Sequence, residues 1–319
     1  MKRCNGIRFV TLITFVLVSL MGWTVVPGLA NIPHAAKKVQ VVASILPLGD
    51  FCRQIGGKYV DVSVLVPPGA SPHTFEPSPS AVAKAMEAKV FVYVGAGLDP
   101  WAERLLAAHK RPGQVVVEAV AGIPLIKDVD EHEHEEAAQE PEEAEHHHHE
   151  AGNPHVWLDP LLAEDICRSI AQALMKVDPA HKNAYEVNLA MYIGRLQTLD
   201  KDIKEVVATF RQRDYVTFHP AYAYFSQRYG LRQVGVIEAS PGREPSPGHL
   251  QRIIAAIKKS GVKAVFAEPQ LSSRVAEVIA QEAGVKVLIL DPLGGRPPYD
   301  SDYIKLMRHN LAVLVQAMQ

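Results

Sequence analysis

The chain has 319 residues, a formal net charge of −2, and 48% hydrophobic and 21% charged residues. About 290 residues remain beyond a targeting segment, enough for two lobes of ordinary size. The charge balance offers no polybasic surface for nucleic acid or an anionic membrane. The few cysteines exclude a metal–thiolate framework.

The N-terminus reads as an export signal. Lys2, Arg3 and Arg8 precede an apolar run from Phe9 to Val26, and Gly28-Leu29-Ala30 supplies small residues at a cleavage site. Residues 1–30 are therefore expected to be a signal peptide, with an uncleaved anchor as the alternative. Cys4 would leave with it. No cysteine stands directly after the apolar run, where a lipid would attach, so a lipid-anchored form is not expected. No later stretch approaches the roughly 20 apolar residues that cross a bilayer. Cys52 and Cys167 remain, to form a disulfide in an oxidising compartment or to stay as two buried thiols.

The body of the chain repeats itself. Strand-like runs at Val39–Ser44 and Tyr215–Phe218 are each followed by a proline and a helical pattern, ending near Gly56-Gly57 and at Gly230. Second strands follow at Val60–Val66 and Gln233–Ile237. Then one tetrapeptide occurs twice, as Glu76-Pro77-Ser78-Pro79 and as Glu244-Pro245-Ser246-Pro247. Each opens a helix (Ser80–Ala88, His249–Ser260) that leads to a strand (Val90–Val94, Ala264–Ala267). Each half then closes with a further helix (Pro100–Lys110, Ser273–Ala283) and a fourth strand (Val115–Glu118, Val287–Leu290). Short apolar strands alternating with helices predict an α/β fold of two lobes, each a four-stranded parallel sheet flanked by helices.

Residues 128–150 carry eleven acidic side chains, six histidines (His132, His134, His146, His147, His148 and His149) and no Lys or Arg. Such a segment cannot bury a core and is expected to stay unfolded without metal, as an accessory metal loop or a solvated acidic linker. A helix is expected from near Pro160. Pro179–Arg213 contains no internal proline and suits one long rigid helix, with Asp178 as its N-cap, joining the lobes. The expected organisation is a first lobe over 31–178, a linking helix over 179–213 and a second lobe over 214–319.

Ligands in open α/β sheets bind beyond the carboxyl ends of the strands. His73 and His219 follow strands, His155 lies in the loop N-P-H-V-W-L-D-P, and Asp291 follows the last strand in L-D-P-L-G-G. Any one of these histidines alone reads first as a hydrogen-bonded loop residue. Three imidazoles and a carboxylate converging on an interlobe cleft would satisfy a tetrahedral zinc ion at about 2.0–2.2 Å per ligand. Glu268 and Glu76 are candidates to orient the imidazoles.

The segments V-P-P-G-A-S-P-H-T-F-E-P-S-P, N-P-H-V-W-L-D-P, F-H-P-A-Y-A-Y-F-S-Q-R-Y-G-L, V-F-A-E-P-Q and L-D-P-L-G-G resemble those of the cluster A-I metal-binding proteins, the ZnuA/TroA-like receptors of zinc and manganese ABC importers. The resemblance runs from about Val39 to the C-terminus. It implies His73, His155 and His219 as ligands and Asp291 as the fourth, with one metal between two lobes. Manganese members carry Glu where this chain has His219, and imidazole suits zinc, so Zn²⁺ is expected over Mn²⁺. The sequence departs from several zinc receptors at Pro72, where they carry an acid.

The resemblance thus implies a monomeric periplasmic receptor, without catalytic activity, that delivers zinc to an inner-membrane permease with a cytoplasmic ATPase. A manganese receptor or a surface adhesin of the same fold is the alternative. A secreted zinc hydrolase is a further one, although the chain lacks H-E-x-x-H and a general base beside a ligand.

Overall fold

The computed structural model describes residues 37–108, 111–127, 152–238 and 245–319. The expected signal peptide and the acidic histidine segment 128–150 lie outside the described residues.

Eight strands form two parallel sheets. The first holds β1 (Val39–Ala43), β2 (Val60–Val64), β3 (Val90–Tyr93) and β4 (Val115–Glu118), in the order β2-β1-β3-β4. The second holds β5 (Asp214–Thr217), β6 (Arg232–Val236), β7 (Ala264–Ala267) and β8 (Lys286–Ile289), in the order β6-β5-β7-β8. The two orders are the same, as the sequence duplication requires. The inner strands β3 and β7 are buried along their whole length, whereas β6 and β8 are partly exposed. Helices therefore cover the middle of each sheet on both faces.

The helices are α1 (Leu46–Gly56), α2 (Pro79–Glu87), α3 (Pro100–Ala108), α4 (Pro160–Val177), α5 (Lys182–Ala208), α6 (Ala223–Tyr229), α7 (Pro247–Ser260), α8 (Arg274–Ala283) and α9 (Tyr303–Met318). The repeated tetrapeptide has a local reason. In each copy the serine is the N-cap and the next proline takes the first turn, where its missing N–H costs nothing. Ser78 accepts from the N–H of Ala81 at 3.3 Å, and Ser246 from that of His249 at 3.2 Å.

The linking helix is shorter than the composition suggests. Pro179–His181 form a 3-10 turn and α5 begins at Lys182. Asp178 does not cap the helix backbone. Its Oδ2 instead accepts the hydroxyl of Tyr185 at 2.6 Å and meets Nδ1 of His181 at 2.7 Å. At the other end the chain leaves the helix after Ala208, where Arg211 and Gln212 donate backbone N–H groups to the carbonyl of Met318 at 2.9 and 3.1 Å. The 27 residues of α5 span about 40 Å at 1.5 Å per residue.

The C-terminal helix α9, unforeseen in the sequence, packs back on the first lobe. Tyr303 places its ring 4.9 Å from that of Phe51 and donates its hydroxyl to the carbonyl of Trp157 at 2.6 Å. Its backbone N–H reaches the buried carboxylate of Asp50 at 3.1 Å. One apolar core consequently runs from the first sheet through α4 and α5 to α9, and a smaller one fills the second sheet around Val216, Phe218, Ile253 and Ile257. Cys52 on α1 and Cys167 on α4 are two buried free thiols. Burial raises both above the ordinary thiol range, Cys52 to about 12.

Candidate metal centre

Each sheet changes direction of winding at its centre, between β1 and β3 and between β5 and β7. Crevices at such points collect ligand-binding loops. In the second lobe, His219 lies two residues after β5 and Glu268 directly after β7, so both stand at this point. His73 comes from the loop between β2 and α2. His155 opens the 3-10 turn Val156–Leu158 ahead of α4.

The three imidazoles meet. Nε2 of His155 is 3.1 Å from Nε2 of His219 and 3.4 Å from Nε2 of His73. Two nitrogens bound to one tetrahedral zinc at about 2.0–2.1 Å would be about 3.3–3.4 Å apart, so the triad has the spacing of a zinc cage. His155 and His219 are buried and His73 is half-buried.

The far side of two rings is already committed. Nδ1 of His155 faces Oδ1 of Asn153 at 3.0 Å, and Nδ1 of His219 faces the carboxylate of Glu268 in a very short contact. Both partners are acceptors, so both rings carry their proton on Nδ1 and turn a lone pair inward at Nε2. Asn153 also accepts the backbone N–H of His155 at 3.0 Å and donates Nδ2 to the carbonyl of Pro220 at 2.8 Å. It thereby ties the His155 loop to the residue after His219. Protonation is disfavoured at two of the three rings. Burial, then the neighbouring His219, lowers His73 to about 3. Burial, then His219 and His73, holds His155 well below the usual imidazole range.

Pro72, Trp157, Leu271, Pro292 and Leu293 wall the cavity around the triad. Its volume is about 10 Å³, room for one water-sized species. Trp157 is fixed by its Nε1–H, which donates to the carbonyl of Pro292 at 2.8 Å across the two lobes.

Asp291 does not join the three histidines. Among the described residues the convergent group is His73, His155 and His219 alone. The Asp291 carboxylate is 1% exposed and held by four donors. Oδ1 accepts from Gln270 Nε2 at 2.8 Å and from the N–H groups of Leu293 and Gly294, each at 3.0 Å; Oδ2 accepts the Tyr299 hydroxyl at 2.7 Å. Glu76 is also remote from the triad in role: it is exposed and pairs with Arg104 at 2.7 Å. Trp157 and Gln270, which line the cavity, and Asn153, which holds His155 from behind, were missed in the sequence. The available signals were N-P-H, where a short amide sits two residues before an imidazole, and the final residue of A-E-P-Q.

Residues 41–317 match the family described as ZnuA, the periplasmic component A of the zinc-uptake complex. The chain is 36% identical to the high-affinity zinc uptake system protein ZnuA of Bacillus subtilis (strain 168), over 99% of this chain and 98% of that protein. It is 33% identical to the zinc-binding lipoprotein AdcA of Streptococcus pneumoniae (strain ATCC BAA-255 / R6), over 95% of this chain but only 60% of that longer relative. The crystal structure of a zinc-bound ZnuA with residues 138–173 deleted superposes with a TM-score of 0.75 at 31% identity, covering 89% of this chain and 99% of that one. The chain belongs to the ZnuA family of zinc-uptake components.

Proposed function

We propose that this protein is a zinc receptor, binding Zn²⁺ through Nε2 of His73, His155 and His219 and surrendering it to a membrane permease driven by an ATPase. One observation carries this reading. Two inward nitrogens 3.1 Å apart belong to rings whose Nδ1 protons already face other acceptors. Nε2 is then the nitrogen that each ring can offer a cation, and one cation between them satisfies both. Imidazole donors favour zinc over manganese. The similarity to a high-affinity zinc uptake protein along nearly its whole length supports the same cargo and an importer as partner.

A cavity of about 10 Å³ admits an ion and leaves no room for a peptide or ester beside it, which favours capture over hydrolysis. The cell-surface side of the membrane is the place for such a receptor. Among the described residues no helix is long and apolar enough to cross a bilayer. The six histidines of 128–150 are proposed as weaker accessory sites.

Competitive titration of the metal-free protein with Zn²⁺ and Mn²⁺ tests the reading. One tight, zinc-preferring site that disappears in His73→Ala is expected. A tight site that persists in His73→Ala, and is lost when 128–150 is removed, overturns it.

A further inference from the structure

Gln270 links the metal cavity to the carboxylate that stays out of it. It lies just past β7, lines the cavity, and donates Nε2 to Oδ1 of Asp291 at 2.8 Å. Asp291 itself is not in the cavity wall. A carboxylate only accepts, so the Gln270 amide must turn its nitrogen to Asp291. Its oxygen is then the end left to the cavity, and that Oε1 is buried without a protein partner among the described residues. Oε2 of Glu268, in the same wall, is likewise buried and unpartnered. Both oxygens suit a water molecule on a captured ion.

The other three donors to Asp291 come from Leu293, Gly294 and Tyr299, within its own loop. They would travel with the carboxylate if it shifted. Asn310 on α9 holds the Asp291 backbone, accepting its N–H at 3.0 Å and donating to its carbonyl at 2.7 Å. Gln270 stands on a different segment, between β7 and α8, and is the donor from outside the loop that reaches the carboxylate itself.

We propose that Gln270 is a specificity-determining positioning residue: by holding Asp291 on its amide nitrogen, it keeps a carboxylate oxygen off the captured ion and preserves an all-imidazole protein donor set. An added carboxylate would favour harder ions such as Mn²⁺. The inference rests on the three histidines being the zinc site.

The test compares the full chain with Gln270→Leu and with the double variant Gln270→Leu/Asp291→Asn. Zn²⁺ and Mn²⁺ dissociation constants are measured by chelator competition, and His73→Ala serves to subtract binding elsewhere. The Co²⁺-loaded proteins give d–d absorption spectra as a second readout. Gln270→Leu should narrow the preference for zinc over manganese by about tenfold or more, the scale of change that outer partners of metal ligands produce. It should also alter the Co²⁺ spectrum. The double variant should restore both, which a merely structural role for Gln270 would not allow. Gln270→Met replaces Gln270→Leu if the latter does not fold. An unchanged ratio and spectrum in the single variant overturns the inference, as does a change that survives Asp291→Asn. Absence of any histidine-dependent tight zinc site in the unmodified chain instead refutes the functional reading beneath it.

Discussion

Glu268 accepts the Nδ1 proton of His219, and the two residues stand at the carboxyl ends of the adjacent strands β7 and β5. The contact is possible because parallel neighbours end side by side, so a residue after one strand meets a residue after the next. It fixes both the tautomer and the plane of the His219 ring. Glu268 is 3% exposed, so its charge is not dispersed by solvent.

Glu268→Ala is therefore expected to weaken zinc binding by about 10–100-fold without removing a ligand, because His219 would lose its orientation and basicity. Glu268→Gln retains an acceptor oxygen and should lose less. Isothermal titration with a competing chelator separates the two. Equal affinity in Glu268→Ala and the unmodified protein would leave the contact without a role in binding.

Asn153 should matter for a different reason. Its amide satisfies the backbone N–H and Nδ1 of buried His155 and the carbonyl of half-buried Pro220. Asn153→Ala leaves these groups unpaired, at a cost of about 1–3 kcal/mol for a buried unsatisfied group. Denaturant unfolding of the metal-free protein should record that loss. Zinc affinity should fall with it, since the His155 and His219 loops lose their tie. Asn153→Asp keeps the acceptor but not the donor to Pro220, and should recover part of the affinity.

The sheets were legible because a strand buried on both faces must be a short apolar run, and V-F-V-Y and A-V-F-A are such runs with turn residues on either side. The three histidines were legible because family motifs surround them. Asp291 follows its strand as its motif suggests, yet its role depended on hydrogen bonds that no spacing encodes: the four donors come from Gln270, Leu293, Gly294 and Tyr299. The start of α5 was missed for a related reason. Asp178 is a good cap by type, but Tyr185 and His181 take its carboxylate first. The docking of α9 on the first lobe is a long-range choice, set by Tyr303 meeting Asp50, Phe51 and Trp157. A local reading of the last residues had no access to those partners.

The pH dependence of the metal-free protein follows from the same burial. An imidazole in an unfolded chain titrates near about 6.5. In the fold, burial lowers His73 to about 3 and His155 well below its usual range. Below about 6.5 the unfolded chain binds protons that the folded protein refuses, so stability is full above that pH and is lost as pH falls toward the folded values. The melting temperature of the metal-free protein should drop steadily from pH 7 to pH 4. His155→Gln should flatten that slope, because glutamine does not titrate. A slope unchanged in His155→Gln would assign the acid sensitivity to other groups.

The last contact to test joins the two lobes beside the cavity. Gly295 has φ of +91°, and a Cβ there would lie 2.6 Å from Cδ1 of Leu46 and 2.8 Å from Cβ of Pro68. Leu46 begins α1, and Pro68 lies in the loop that carries His73; Gly295 is in the loop that carries Pro292 and Leu293 of the cavity wall. Gly295→Ala must therefore push the His73 loop away from that wall. Part of its cost is backbone strain, about 1–2 kcal/mol for a left-handed residue with a side chain. Gly69→Ala isolates that part, because Gly69 has φ of +83° but nothing within 4 Å of its would-be Cβ. Gly69→Ala should lower stability and leave zinc affinity nearly unchanged. Gly295→Ala should lower both, and the difference measures how far the capture of the ion depends on the lobes remaining in contact. Equal effects of the two substitutions on zinc affinity would show that the interlobe contact at Gly295 does not shape the site.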